Sequence, residues 1–240
     1  MDPNLNKLLK WSLQNQTPAQ SGSDSNQPAQ NDTATTAAPS TTDGDGDGAA
    51  PPRGPSLDPS ALASILFNAP SDAEMMQRSL AAIKNKEEIP LDSRLVAWDN
   101  LEQLVENLDN ANNLENLKMW PPLREELETA EAWEEREFAA WCVGTSVQNN
   151  VKSQDALVKH SVIPVLTRLA ISDPSPQVRK KTVFALSSAV RNHQSATDQF
   201  VACLKDSDTG KELLAGDDKI DSADMERLNK LMEALRNIKI

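Results

Sequence analysis

Three stretches of the chain recur at a fixed interval, and no other feature restricts the possible fold as strongly. Ala97-Trp98, Ala140-Trp141 and Val183-Phe184 follow one another at a spacing of 43 residues. The same shift superposes Leu104, Val147 and Val190, then Leu114, Leu157 and Phe200. It also sets Trp120-Pro121 and Leu123 beneath Ile163-Pro164 and Leu166. A period of about 40–47 residues with helical apolar spacing is that of armadillo or HEAT repeats. Such units cannot bury their apolar faces alone, so they stack. The predicted fold class is all-α: an armadillo-like right-handed superhelix of about three repeats, with helical caps and a disordered N-terminal linker. The concave surface of such a stack suits a macromolecular partner.

The rest of the chain divides around those repeats. Residues 1–13 read as a short amphipathic segment, with Leu5, Leu8, Leu9 and Leu13 partly on one face and Lys7 and Lys10 off it. From 14 to 56 the chain is Gln, Ser, Thr, Asp, Gly and Pro, too poor in large apolar side chains to offset its ordering entropy, and is expected to be disordered. Residues 57–92 form an N-terminal helical cap: Asp58-Pro59 opens one helix, and Ser71-x-x-Glu74 reads as a capping box for a second that reaches Lys84. The repeats occupy 93–215. The first is expected as helices over Leu95–Leu108, Asn112–Lys118 and Pro121–Leu127, and the second over Glu131–Gln148, Ser153–His160 and Ile163–Ile171. The third covers Val178–Arg191 and Ala196–Leu204, with an irregular last element. Residues 216–240 supply a C-terminal capping helix, since an open stack needs an end with a wet outer face.

Charge and cysteine usage narrow the partners. A formal net charge of −12 argues against a phosphate-backbone footprint, because nucleic-acid binders need a clustered basic surface. A basic or apolar protein client is electrostatically easier to reach. No apolar run approaches the roughly 20 residues that span a bilayer, and the polar start lacks the apolar core of a signal peptide. A cytosolic protein without membrane contact is therefore expected. Cys142 and Cys203 sit in apolar helical surroundings and read as reduced core thiols.

Candidate chemistry is sparse. Asp43, Asp45, Asp47 and Gly48 mimic the start of a calcium loop, but the twelfth position, which needs a bidentate Glu, is Gly54. Cys142 with His160 or His193 could in principle make a nucleophile, yet a thiol beside a core tryptophan would be inert. No phosphate loop, metal cluster or carboxylate pair stands out, so no enzyme activity, cofactor or metal is expected. Trp98 and Trp141 read as core residues. Trp120 and Trp133 have no clear place.

What remains is the segment joining the helices of each repeat. Asn107–Asn113, Asn150–Ala156 and His193–Asp198 stand at equivalent positions and are rich in Asn, Asp and Ser. These residue types cap helices and make turns. Stacking would also align them along one ridge, where a ladder of amides could meet a partner.

The sequence also resembles the fungal cytosolic Fes-type nucleotide-exchange factors of heat-shock-70 (DnaK-type) chaperones, part of a wider group with the animal HspBP proteins. The resemblance rests on Leu8-Leu9-Lys10-Trp11-Ser12, Leu95-Val96-Ala97-Trp98-Asp99-Asn100 and the block Asn107-Leu108-Asp109-Asn110-Ala111-Asn112-Asn113-Leu114-Glu115-Asn116-Leu117. Gly144–Asn150 and Ala185–His193 extend it. It implies an armadillo body that holds one lobe of the chaperone's ATPase domain displaced, so that ADP leaves and client is released, with a further effect on translation through ribosome-bound chaperones. The partner-binding residues it implies are Asn110, Ala111, Asn112, Asn113, Asn149, Asn150, Arg191, Asn192 and His193, with Ala111 as the closest contact. Leu8, Leu9 and Trp11 would assist client release. The chain is expected to act as a monomer. Some relatives carry a further armadillo unit where this chain has only its last helix. A generic armadillo adaptor that leaves nucleotide exchange untouched is the alternative.

Overall fold

The computed structural model describes residues 70–216 and 219–238. Among them are eleven α-helices and no strand. They are α1 (Asp72–Lys84), α2 (Leu91–Val105), α3 (Leu108–Asn116), α4 (Trp120–Thr129), α5 (Trp133–Ser146) and α6 (Val151–Lys159), followed by α7 (Val162–Ser172), α8 (Pro176–Val190), α9 (Gln194–Lys205), α10 (Asp208–Leu214) and α11 (Met225–Arg236). The expected helix after Asp58, the linker and the Leu8, Leu9 and Trp11 segment lie outside the described residues.

The helices begin where local chemistry satisfies their free N–H groups. At α1 the capping box forms: the Ser71 amide donates to Glu74 Oε2 at 2.9 Å and the Glu74 amide to Ser71 Oγ at 3.3 Å. Pro121 and Pro122 stand in the first turn of α4, and Pro176 opens α8 behind an N-cap at Ser175. Most expected starts shift by one or two residues, and two move by about a full turn. Helix α2 begins at Leu91 rather than Leu95, directly behind Pro90, which serves as its extended N-cap residue. Helix α3 begins at Leu108 rather than Asn112, because the Asn107 side chain already accepts from the Asp109 and Asn110 amides. The Asn-rich block is therefore a capped helix rather than a connecting turn.

The helices sort into three ladders. The long ones stack as α1 on α2, α2 on α5, α5 on α8 and α8 on α11. The short ones stack as α3 on α6 and α6 on α9, while α4 packs on α7 and α7 on α9. In α2 the buried set Arg94, Ala97, Trp98, Leu101, Glu102 and Val105 has the three-and-four spacing of a single face. Helices α5 and α8, with neighbours on both sides, bury small residues as well, including Ala139, Ala140, Ala185 and Ala189. Gly144 is what lets these two approach. A β-carbon there would lie 2.6 Å from Phe184 Cε1 and 3.0 Å from the backbone of Ala185.

A column of arginines spaced by 42 and then 43 residues, which sequence reading passed over, ties successive repeats. Arg94, Arg136 and Arg179 stand near the start of α2, α5 and α8. Each donates to backbone carbonyls of the preceding loop: Arg94 to Ile89, Arg136 to Ala130 and Glu131, Arg179 to Asp173 and Pro174. Arg94 also forks onto Glu135 at 2.8 and 3.1 Å, and Arg136 onto Asp173 at the same two distances. Bidentate pairs of this kind fix orientation as well as contact. At the far end, α11 buries Leu228, Leu231, Met232 and Leu235 and leaves its charged side open, as the expected capping helix would.

Candidate functional site

The ridge residues do two different jobs. Asn107, Asn150 and His193 are the N-caps of α3, α6 and α9, at strictly equivalent positions. Asn150 accepts from the Ser153 amide and donates to Ser146 O and Ser153 Oγ. His193 accepts at Nδ1 from the Ala196 amide at 3.1 Å, while its Nε2 lies 2.9 Å from Asp155 Oδ1. Both are buried. Asn110 is buried too, donating to Asp72 Oδ2 and Leu104 O, and so ties α3 back to α1. These side chains are spent on holding the ridge.

Ala111 is 3 % exposed, and its carbonyl accepts from Ser153 Oγ on the next repeat. Its methyl group lies inside the packing, so the expected close contact with a partner is not made by an open side chain. Ala111 stands on the buried face of α3, at helical spacing with Asn110 and Leu114. Asn112 and Asn113 are half-buried; Asn113 Oδ1 accepts from Asn116, while Asn112 Oδ1 is enclosed with no partner.

Asn149 and Asn192 are the exposed members. Each precedes a cap and adopts the left-handed backbone, with φ of 53° and 55°, a conformation that asparagine tolerates better than most residues. The Asn192 amide donates to Ser222 O at 2.9 Å. Arg191 is half-buried and bridges the ladder, reaching Ser187 Oγ, Met225 Sδ and Asn229 Oδ1 at 2.7 Å. The buried Gln154 amide donates to the carbonyls of Ser188, Ala189 and Arg191, which seals the end of α8. Asn149, Arg191 and Asn192 line one cavity of about 410 Å³ together with Gln148 and Phe184. A second, also of about 410 Å³, shares Gln148, Asn149 and Phe184 and runs on to Glu102, Glu106, Trp141 and Thr145. The structure thus joins the exposed ridge residues to a groove across the long-helix ladder and leaves the Asn110–Asn113 block apart from both cavities.

The groove is the part that sequence reading missed. Trp141 was expected in the core. Instead it is half-buried, stacked on Phe138 at 5.8 Å between centroids, with Lys181 Nζ 3.2 Å from its ring centre. The signal was present: Phe138, Trp141 and Thr145 are spaced by three and four residues on α5, along a stripe separate from its buried set, and Gln148 follows three residues on, just past the helix end. Burial pushes the Lys181 ammonium pKa down, opposed by Glu137 and Glu102. Burial also raises the Glu102 carboxyl, opposed by its bond from Thr145. Trp98 is fully enclosed, Trp120 is buried as well, and Trp133 is 38 % exposed.

Nucleophilic chemistry finds no support in the geometry. Cys142 is buried, its Sγ approaches only Trp98 O at 4.0 Å, and burial drives its thiol well above the ordinary range. His160 lies 2.7 Å from Glu115 and His193 is held by Asp155, so neither histidine is directed at the thiol. Among the described residues no three His, Cys, Asp or Glu side chains converge on a metal position, and no helix is long and apolar enough to cross a membrane.

Comparison with known proteins places this architecture. Residues 5–114 match the family described as nucleotide exchange factor Fes1, and residues 133–189 match a HEAT-like repeat. An "Hsp70 nucleotide exchange factor FES1" of Coccidioides immitis is 39 % identical over 238 residues, covering 99 % of both chains. Its namesake in Gibberella zeae is 42 % identical, covering 98 % of this chain and 96 % of the relative. The Saccharomyces cerevisiae protein of that name is 40 % identical over 158 residues, 65 % of this chain and 54 % of its own. Among solved structures, a designed armadillo repeat protein in complex with peptide (KR)4 superposes over 67 % of this chain with a TM-score of 0.50 at 19 % identity, which speaks for the fold alone. With similarity near 40 % running end to end through the Coccidioides and Gibberella relatives, the chain belongs to the Fes1 family of nucleotide exchange factors.

Proposed function

We propose that this protein binds the ATPase domain of a cytosolic heat-shock-70 chaperone through its long-helix ladder and accelerates ADP release. The observation that carries the reading is the full-length relationship to Hsp70 nucleotide exchange factors. The groove with half-open Trp141 and Phe184 supports the choice of face, since aromatic residues dominate the buried centres of protein interfaces. Asn149, Arg191 and Asn192 would contact the partner, with Asn112 and Asn113 further along the ridge. Asn110, Ala111, Asn150 and His193 would act through the shape they impose.

The mechanism requires no covalent chemistry. A factor that binds the open, nucleotide-free chaperone better than the ADP-loaded one must weaken ADP by the same factor. Its effect is limited to that difference in affinity. ATP entry then releases the client. Leu8, Leu9 and Trp11 would assist that release, and deleting residues 1–13 should slow it while leaving ADP dissociation intact. The protein would act as a monomer, and ribosome-associated chaperones would be among its targets.

The test is the dissociation rate of fluorescent ADP from a cytosolic heat-shock-70 chaperone, with the native chain and with Gln148→Arg. Gln148 is exposed and lines both cavities, so the change blocks the groove without entering the core. Acceleration by the native chain and its loss in the variant are expected. Binding by the native chain with no acceleration would leave an armadillo adaptor, and acceleration by both would discard the groove.

A further inference from the structure

Among the described residues four carboxylates are almost completely buried, and one of them forms no ion pair there. Glu126, Glu135 and Asp173, at 1–4 % exposure, pair with Lys86, Arg94 and Arg136. Glu102, at 5 %, accepts a bond from Thr145 Oγ1 at 2.8 Å and forms no ion pair among the described residues. A buried charge in this position is costly unless something pairs with it. Lys181, whose charge favours the ionised carboxylate, sits over the Trp141 ring instead of pairing with it.

Glu102 lies against the groove cavity of about 410 Å³, beside Glu106, Gln148, Asn149, Trp141 and Phe184. That lining offers two carboxylates, two amide oxygens and two aromatic walls, and no basic side chain. We propose that this cavity is the seat of a single arginine carried by the chaperone's ATPase domain. The inference rests on the docking reading above and names the partner group that the face recognises. A guanidinium suits it better than an ammonium: it is planar, weakly hydrated and carries five donors, matching acceptors on several sides between apolar walls. Docking covers the cavity, so a partner with no cation at this point strands the carboxylate and is rejected. The seat therefore selects among partners as well as adding affinity.

The experiment is calorimetric binding of the full chain to the chaperone's ATPase domain, run alongside fluorescent-ADP release, with native protein and Glu102→Gln. The variant keeps the side-chain shape and the bond with Thr145. The expected result is a Kd, and a half-maximal concentration for exchange, raised on the order of tenfold, with an unchanged limiting rate and a Tm no lower than native. An unchanged Kd overturns the seat. Substituting the chaperone's surface arginines by alanine then locates the partner: one of them should weaken binding to the native chain and not to Glu102→Gln, and the absence of any such coupling also overturns it. Because binding is read separately, a native chain that binds without releasing ADP would defeat the exchange reading while leaving the seat measurable. A native chain that does not bind at all would defeat both.

Discussion

Two columns of the repeat share the same 43-residue period and have opposite fates. Asn107, Asn150 and His193 do the same thing three times, accepting amide hydrogens at the start of a short helix. Trp98, Trp141 and Phe184 are equally periodic, yet Trp98 is sealed while the other two are half-open in a groove. The first column is determined by local backbone geometry, which repeats whenever the turn repeats. The second depends on what packs around each position, and that differs along the stack: Trp98 is enclosed, whereas Trp141 and Phe184 border the cavities. Repetition therefore fixes where a residue stands, and the neighbours decide whether it supports or recognises.

That contrast can be broken most sharply at the tryptophans. Trp98→Ala should cost about 3–5 kcal/mol in chemical denaturation, as removal of a fully buried aromatic does, whereas Trp141→Ala should cost under about 2 kcal/mol and chiefly weaken partner binding. Equal losses of stability would erase the distinction. Gly144→Ala should destabilise by about 1–3 kcal/mol from overpacking. The added methyl meets Phe184 and the α8 backbone, so partner affinity should fall with stability rather than independently of it. Within the capping column, Asn107→Ala should cost about 1 kcal/mol and Asn150→Ala about 2 kcal/mol, because only Asn150 also bonds Ser146 O and Ser153 Oγ from a buried position. Equal thermal shifts would mean that the extra bonds contribute nothing.

The smallest effect is in pH dependence. The Glu102 carboxyl titrates above its unfolded value because burial disfavours the charge. The folded state thus holds that proton to a higher pH, and folding stability falls as pH rises from the ordinary glutamate value through the raised one. Glu102→Gln should remove this decline, so its advantage over the native chain should appear in that window, persist at neutral pH and vanish in stronger acid. A parallel pair of stability curves would show the carboxylate to be solvated in the folded chain.

The stack, its period and its capping devices were legible because they are local. Ser71 and Glu74 announce a helix start three residues apart, and the shift by 43 exposes core columns such as Leu114, Leu157 and Phe200. Helix starts differ from the pattern where a single residue outweighs it: the Asn107 cap begins α3 early and makes Ala111 part of a helix whose buried face it shares with Asn110 and Leu114. The groove was not legible as a site. Glu102 reads as one more acid on a helix, and its isolation emerges only when the partners of Glu126, Glu135 and Asp173 are known. The arginine column was visible at 94, 136 and 179 but has no meaning until the loop carbonyls that it binds are in place.

Those arginines also give the molecule a mechanical character. Arg94 staples the leading end of α2 to Glu135 on α5, and Arg136 staples that of α5 to Asp173 ahead of α8, while among the described residues the trailing ends are joined by hydrogen bonds such as Thr145 to Glu102 and Arg191 to Asn229 rather than by bidentate ion pairs. Such bonding should make the stapled edge the stiffer one, like a hand fan held at its rivets. A factor that must keep a lobe of its partner displaced has to push back against it, and the stapled edge is where that reaction force would be borne. Loosening it with Glu135→Gln would leave the groove's chemistry intact and soften the fan, which amide hydrogen exchange at the starts of α2 and α5 would register as faster opening.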